Sequence, residues 1–427
     1  MLRPQSSIAK IKTMDGRDAV GDAILDTEAA KCWLAQFHKD DLDTAKLLLC
    51  SLRLISSSHY DESLMRLLQR LVMKPRRPVA LFATRELTKP SPFEIPRPPD
   101  PVFFDAEGRP PNLVPGENIG SEGATEFLLT RMGRANKDLL IEPTLEKMRH
   151  AKCRLIVLVD DLVGSGTRTR ISSDAMYHNP TIKSWKSFGW IDGAVAAYAA
   201  TEDGEQKVLH RNKLIDVVES ERRPEADAHW WDNDTLRKIK SLCFRYAKRV
   251  KINKWHALGV GEMLGTLIFE HACTNVTPAI LWKKTKTWEP LFPTRTIPLE
   301  MRPLFRLSKP AGRILRRLQK LGYKKLEERE KAATASPALG VDMAAFIAAA
   351  SRLRTTKRIA PFLGITFSEC DELARVAQQN GFLDDGARLT ELGREELSRL
   401  GRAPRQTEKK LPSNEEIVYI PGQLRAT

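Results

Sequence analysis

No two of the six cysteines form a CxxC pair; they are scattered at positions 32, 50, 153, 243, 273 and 370. That argues against a structural zinc site and against a disulfide scaffold, and points to a reducing cytoplasm. No apolar run approaches the length of a membrane-spanning helix, so no membrane partner is expected. The opening residues MLRPQSSIAKIK lack the apolar segment of a secretion signal. Negative charge is in short supply: 69 Lys and Arg face 54 Asp and Glu, a formal charge of +15 with pI ≈ 9.5. Such an excess implies an anionic partner, most simply nucleic acid, DNA or RNA. Apolar material is not lacking. At 42% hydrophobic residues global disorder is excluded, and 427 residues suffice for two or three domains.

The stretch that organises the chain is Arg154–Arg168, RLIVLVDDLVGSGTR. Leu155–Val159 is a short apolar run of the kind that forms a strand buried on both faces, and it breaks into acid at Asp160. Two apolar residues after Asp160-Asp161 comes the small, flexible Gly164-Ser165-Gly166-Thr167. This pattern puts polar groups at the carboxyl end of a strand, where open α/β sheets bind ligands. The glycines let successive N–H groups aim into one concavity. A helix starting near Thr167 would favour a phosphate at its N-terminus. Asp160 and Asp161 are placed to accept hydrogen bonds from two neighbouring ribose hydroxyls, with Mg²⁺ relieving the charge conflict with the phosphate.

LIVLVDDLVGSGT resembles the signature of type I phosphoribosyltransferases. The resemblance implies that Asp160 and Asp161 contact the ribose of phosphoribosyl pyrophosphate, and that Gly164, Ser165, Gly166 and Thr167 hold its 5-phosphate. It also implies Mg²⁺, held in part through Asp160 and Asp161. The expected fold is α/β, a parallel or mixed sheet flanked by helices, with a helical N-terminal part and a C-terminal winged helix.

Taken in order, residues 1–25 read as a flexible lead-in. Helical spacing of Ala30, Trp33, Leu34 and Phe37, then of Leu64, Leu67, Leu68 and Leu71, predicts a helical subdomain over 26–74. The α/β domain spans 75–296, opening with the strand Val79–Ala83. Residues 88–118 are a Pro- and Gly-rich excursion that runs into Gly120-Ser121-Glu122-Gly123. This is a second phosphate-compatible turn, opening a helix and positioned for a pyrophosphate loop. Gly193–Ala199 reads as a further strand with its turn at Glu202–Glu205, Val208–Val218 as another, and Asp234–Tyr246 as a helix. Leu267–Phe269 is a strand candidate ending in Glu270-His271, with Asn275 close behind. The three polar residues are candidates for the periphery of the site.

The pattern EHxCxN…LW…WxPLFP, the helical N-terminus and the acid-pair loop together resemble the phosphoribosyltransferase-like effectors of bacterial conflict systems, among them effectors of some retrons. That likeness covers most of residues 26–296. It implies a toxic effector of antiviral defence acting on a ribose-phosphate or nucleotide substrate, with a reverse transcriptase–msDNA complex as a controlling partner. Beyond it, 297–340 reads as a basic helix and linker. Between 301 and 330 ten Lys or Arg face three Glu, and Arg313, Arg316, Arg317, Lys320, Lys324 and Lys325 form a face suited to phosphate backbones.

Residues 341–400 predict helix, turn, helix, then a short hairpin turning at Asp385-Gly386, which resembles a winged helix-turn-helix; 401–427 is a tail. In that fold the helix Ser368–Gln379 faces a groove, with Arg375 there and Arg388 on the wing as nucleic-acid contacts. Glu369, Asp371 and Glu372 depart from a DNA-reading pattern and make a protein partner the alternative. The second functional reading is accordingly a non-catalytic nucleic-acid-binding adaptor that senses a nucleotide.

Overall fold

The computed structural model describes residues 19–72, 78–85, 87, 102–111, 121–224, 231, 233–253, 256–307 and 341–399. Gly120, the basic residues from Arg313 to Lys325 and the tail lie outside the described residues. Among the described residues no helix is long and apolar enough to cross a membrane.

A five-stranded, all-parallel sheet forms the centre. It is built from β2 (Val79–Ala83), β3 (Leu139–Ile141), β4 (Leu155–Val163), β5 (Asp192–Ala200) and β6 (Ile215–Arg222), in the spatial order β3-β2-β4-β5-β6. β1 is Arg53–Ile55 and β7 is Leu267–Phe269; these two pair in parallel as a separate small sheet. Central β4 has all nine residues buried. Val157 and Val159 pack into one apolar layer, Ile156 and Leu158 into the other, as the pleat requires. The expected strand ends at the acids; the observed one runs straight through Asp160-Asp161. Three kinds of donor make this tolerable, namely local amides, a hydroxyl and an arginine, as described below. The alternation breaks at this point, for Leu162 rejoins the layer of Val157 and Val159.

Helices α5 (Ser121–Ala135), α6 (Leu145–His150), α7 (Thr167–His178), α8 (Pro180–Ser187) and α9 (Glu202–Leu209) make the crossovers. The expected turn at Glu202–Glu205 is instead the first turn of α9. Thr201 caps it by accepting from the Gly204 amide, and three acids in its first turn suit the positive end of the helix. The expected strand over 208–218 starts later, at Ile215, because Val208 belongs to α9.

The N-terminal helices α1 (Ala19–Leu25), α2 (Glu28–Leu34), α3 (Leu42–Cys50) and α4 (Ser57–Val72) do not stand alone as a subdomain core. α1 takes up the end of the expected lead-in because Val20 and Ile24 are buried. With α2 and α3 it packs against α10 (Asn233–Ala247), the irregular chain 256–301 and α11 (Arg302–Leu307) in one apolar cluster. The indoles of Trp33 and Trp288 both donate to the Ile280 carbonyl, at 2.9 and 2.8 Å. α4 instead lies on the main sheet, its apolar stripe in the layer of Val157 and Val159.

The C-terminal unit comprises α12 (Val341–Leu353), α13 (Thr356–Leu363), α14 (Phe367–Gln379) and α15 (Glu391–Arg399). A single antiparallel bridge, Leu383 to Leu389, makes the wing. Gly364 takes the left-handed conformation at the turn, and Thr366 and Glu369 form a reciprocal capping box on α14.

Candidate ribose-phosphate site

The acid pair occupies the carboxyl half of β4, 3% (Asp160) and 7% (Asp161) exposed, at the wall of a cavity of about 860 Å³. Each carboxylate is held locally. Asp160 Oδ1 accepts from the Asp161 amide (2.9 Å) and Asp161 Oδ1 from the Leu162 amide (2.8 Å). Thr169 donates its hydroxyl to Asp160 Oδ2 at 3.4 Å. Arg168, on the first turn of α7, turns back over the pair. Its Nη2 lies 2.5 Å from Asp160 Oδ1 and 3.5 Å from Asp161 Oδ1, while Nη1 lies 3.8 Å from Glu122. From the other side, His271 Nε2 stands 3.6 Å from Asp161 Oδ2.

These surroundings split the two acids. Burial pushes the Asp160 carboxyl well above the ordinary range, and the neighbouring Asp161 charge adds to this despite Arg168. Burial acts on Asp161 too, but the facing His271 and Arg168 outweigh it and hold that carboxyl below the ordinary range. Asp161 is thus the ionised member, and Asp160 the one that retains a proton most readily.

The loop after β4 is shaped for an anion. Gly166 has φ +69° and caps α7, and a Cβ there would lie 2.4 Å from the Gly204 carbonyl on α9. Only glycine fits both the conformation and the space. Beyond it the N-terminus of the twelve-residue α7 opens into the cavity with no acid in its first turn. Ser165 donates to Thr167 Oγ1 at 3.1 Å, and Lys207 of α9 reaches the same hydroxyl at 2.8 Å. The loop therefore carries two hydroxyls, a lysine and the α7 N-terminus in one place.

Of the other candidates, Asn275 lines the cavity. Gly120 lies outside the described residues; Ser121, Glu122 and Gly123 open α5, where Glu122 meets Arg168. Glu270 turns away to accept from the Ser57 amide at the start of α4 (2.8 Å). Arg375 pairs with Glu372, and Arg388 is exposed on the wing; neither approaches the cavity. Three cavity arginines escaped the sequence reading. Arg168 directly follows the loop motif. Arg85, 6% exposed, lies past β2 and pairs with Glu142 at 2.9 Å. Arg295 follows Thr294 in a run of two left-handed residues. Only the adjacency of Arg168 to the motif is a signal in the sequence.

Residues 30–294 match the PRTase-CE family, well over half of the chain. The chain belongs to the PRTase-CE family. In its PRTase-like domain the acid pair and Gly-Ser-Gly-Thr loop sit at the carboxyl end of the central strand. The C-terminal unit matches, over residues 344–426, the domain described as wHTH-PRTase associated. No curated protein and no solved structure matches the chain.

Proposed function

We propose that this PRTase-CE protein binds a 5-phosphorylated ribose, as phosphoribosyl pyrophosphate or a related nucleotide, and transfers the sugar as the toxic arm of a bacterial antiviral, retron-type system. The observation that supports the reading is the continuity of Asp160–Thr167: two buried acids and the Gly-Ser-Gly-Thr loop line one cavity. Asp160 and Asp161 fix the two ribose hydroxyls, with the ionised Asp161 also opposing positive charge that develops on the ring. Gly164, Ser165, Gly166 and Thr167, with Lys207, hold the 5-phosphate. The bond from the anomeric carbon to pyrophosphate breaks as the acceptor's bond forms; the arginines of the cavity face the departing anion.

Every carboxylate oxygen of the acid pair already faces a donor or His271. The described residues include no cluster of three or more His, Cys, Asp or Glu suited to a metal. Asp160 and Asp161, with Arg168 lying over them, would contribute to holding Mg²⁺ together with the ligand's phosphates. When bound, the ion offsets pyrophosphate charge.

Control falls to nucleic acid, as in a reverse transcriptase–msDNA complex, in keeping with the +15 charge. The second reading, an adaptor that senses a nucleotide without turnover, draws on the C-terminal winged helix. Expression in bacteria separates the two. Growth arrest abolished by Asp160→Asn/Asp161→Asn is the expected outcome. Arrest that survives those changes but needs residues 301–400 would favour the adaptor.

A further inference from the structure

The winged helix is docked on the PRTase-like domain by the face that a DNA-reading relative would turn to a groove. The Gly364 carbonyl, in the turn before α14, accepts from two arginines at once: Arg53 of β1 (3.2 Å) and Arg222 of β6 (3.1 Å). These belong to the two different sheets. Three residues on, the N-terminus of α14 is stoppered by a fully buried carboxylate. Ser368 donates its amide (3.1 Å) and its hydroxyl (2.6 Å) to Glu221 of β6. Arg70 of α4 bonds both Glu221 and Ser368. Glu369 lies 3.8 Å from His59, also on α4.

That contact set has a direct path to the acid pair. Next to His59 is Tyr60, fully buried, with its hydroxyl on Thr125 of α5 and its ring 5.2 Å from the His271 ring. His271 in turn stacks on Phe269 of β7 and faces Asp161. The small sheet delivers His271, the main sheet delivers Asp161, and one carbonyl of the winged helix ties the two sheets together.

We propose that the winged helix is a clamp whose docking through Gly364, Ser368 and Glu369 positions His271 on Asp161, so that its release loosens the acid pair. Its α14 N-terminus then serves the PRTase-like domain, and a nucleic-acid phosphate can use those donors only by displacing Glu221. The inference relies on the ribose-phosphate reading for one of its two readouts alone.

The test is Ser368→Asp in the full chain, which sets a second carboxylate against Glu221. An acid in the first turn of a helix is favourable in itself, so α14 stays folded. Hydrogen exchange is followed in peptides covering 364–369, 160–162 and 270–272, alongside calorimetric binding of ribose 5-phosphate. The expected result is faster exchange in all three regions and an affinity about tenfold weaker, the size of an ordinary coupling between sites. Ser368→Thr, which keeps the hydroxyl, behaves as the native protein. Faster exchange at 364–369 with 160–162 and 270–272 unchanged overturns the clamp, as does undiminished protection at 364–369. If the native protein binds no ribose 5-phosphate, the sugar-phosphate reading fails by itself, and exchange at 160–162 and 270–272 still decides the clamp.

Discussion

The sheet side of the site draws Asp160, Asp161 and the whole phosphate loop from one unbroken stretch of chain. The wall that faces them, with Asn275 and Arg295, and the neighbouring His271 on Asp161, belong to irregular chain held in place by helices more than two hundred residues earlier in sequence: Trp33 reaches Ile280 across 247 positions. The first side is rigid because a buried parallel strand has its register fixed on both edges. The second rests on packing of side chains such as Trp33 and Trp288 and on scattered backbone bonds such as Cys273 N–H to the Arg295 carbonyl (2.9 Å). Chemistry that needs Asp161 and His271 together depends on both kinds of order, and the wall is the side where distant changes can act.

Breaking the wall should have the largest effect. Trp33 is 1% exposed, and Trp33→Ala is expected to cost about 3–5 kcal/mol in urea unfolding, with one transition. Two separate transitions would mean that wall and sheet are independent. Next comes Asp161→Asn, which leaves His271 facing a neutral group while Arg168 keeps Asp160 and Glu122; about 1–3 kcal/mol is expected. Because the Asp161 carboxyl is held low, its contribution is present above the ordinary carboxyl range and fades as pH falls through it. The deficit of the variant should therefore shrink towards pH 3.

Asp160→Asn should go the other way. A carboxyl raised by burial binds its proton more tightly folded than unfolded, so its contribution is full at low pH and is lost as pH climbs. An amide imitates the protonated acid, and the unfolding midpoint of this variant should gain on the native protein steadily from pH 5 to pH 8. Equal slopes for the two variants would show that the acids are not split. The smallest change is Thr366→Ala, which removes the capping box from α14; about 1 kcal/mol is expected in urea unfolding.

What could be read from sequence was local. Leu155–Thr167 carries its strand, acids, loop and helix start in consecutive residues, and the capping of α14 at Thr366 is equally near-range. The strand's passage through Asp160-Asp161 was not legible, since a charged pair normally ends a buried strand; Arg168 and the pair's own amides remove that objection. Glu202–Glu205 looked like a turn because it is acidic and contains glycine, yet the same acids favour a helix N-terminus once Thr201 caps it. The pairing of β1 with β7 joins two three-residue strands across about half of the chain, too short to carry a pattern. Glu270 and His271 are neighbours with different destinations, one capping α4 and the other facing Asp161, and nothing in their order distinguishes them.

The most direct measurement is calorimetric titration with phosphoribosyl pyrophosphate and Mg²⁺, on the native protein and on Asp160→Asn/Asp161→Asn. Saturable binding by the native protein that is lost in the variant is the predicted result. Absence of binding to the native protein, with nucleic acid present as well as without it, would contradict the ribose-phosphate site and leave only the fold.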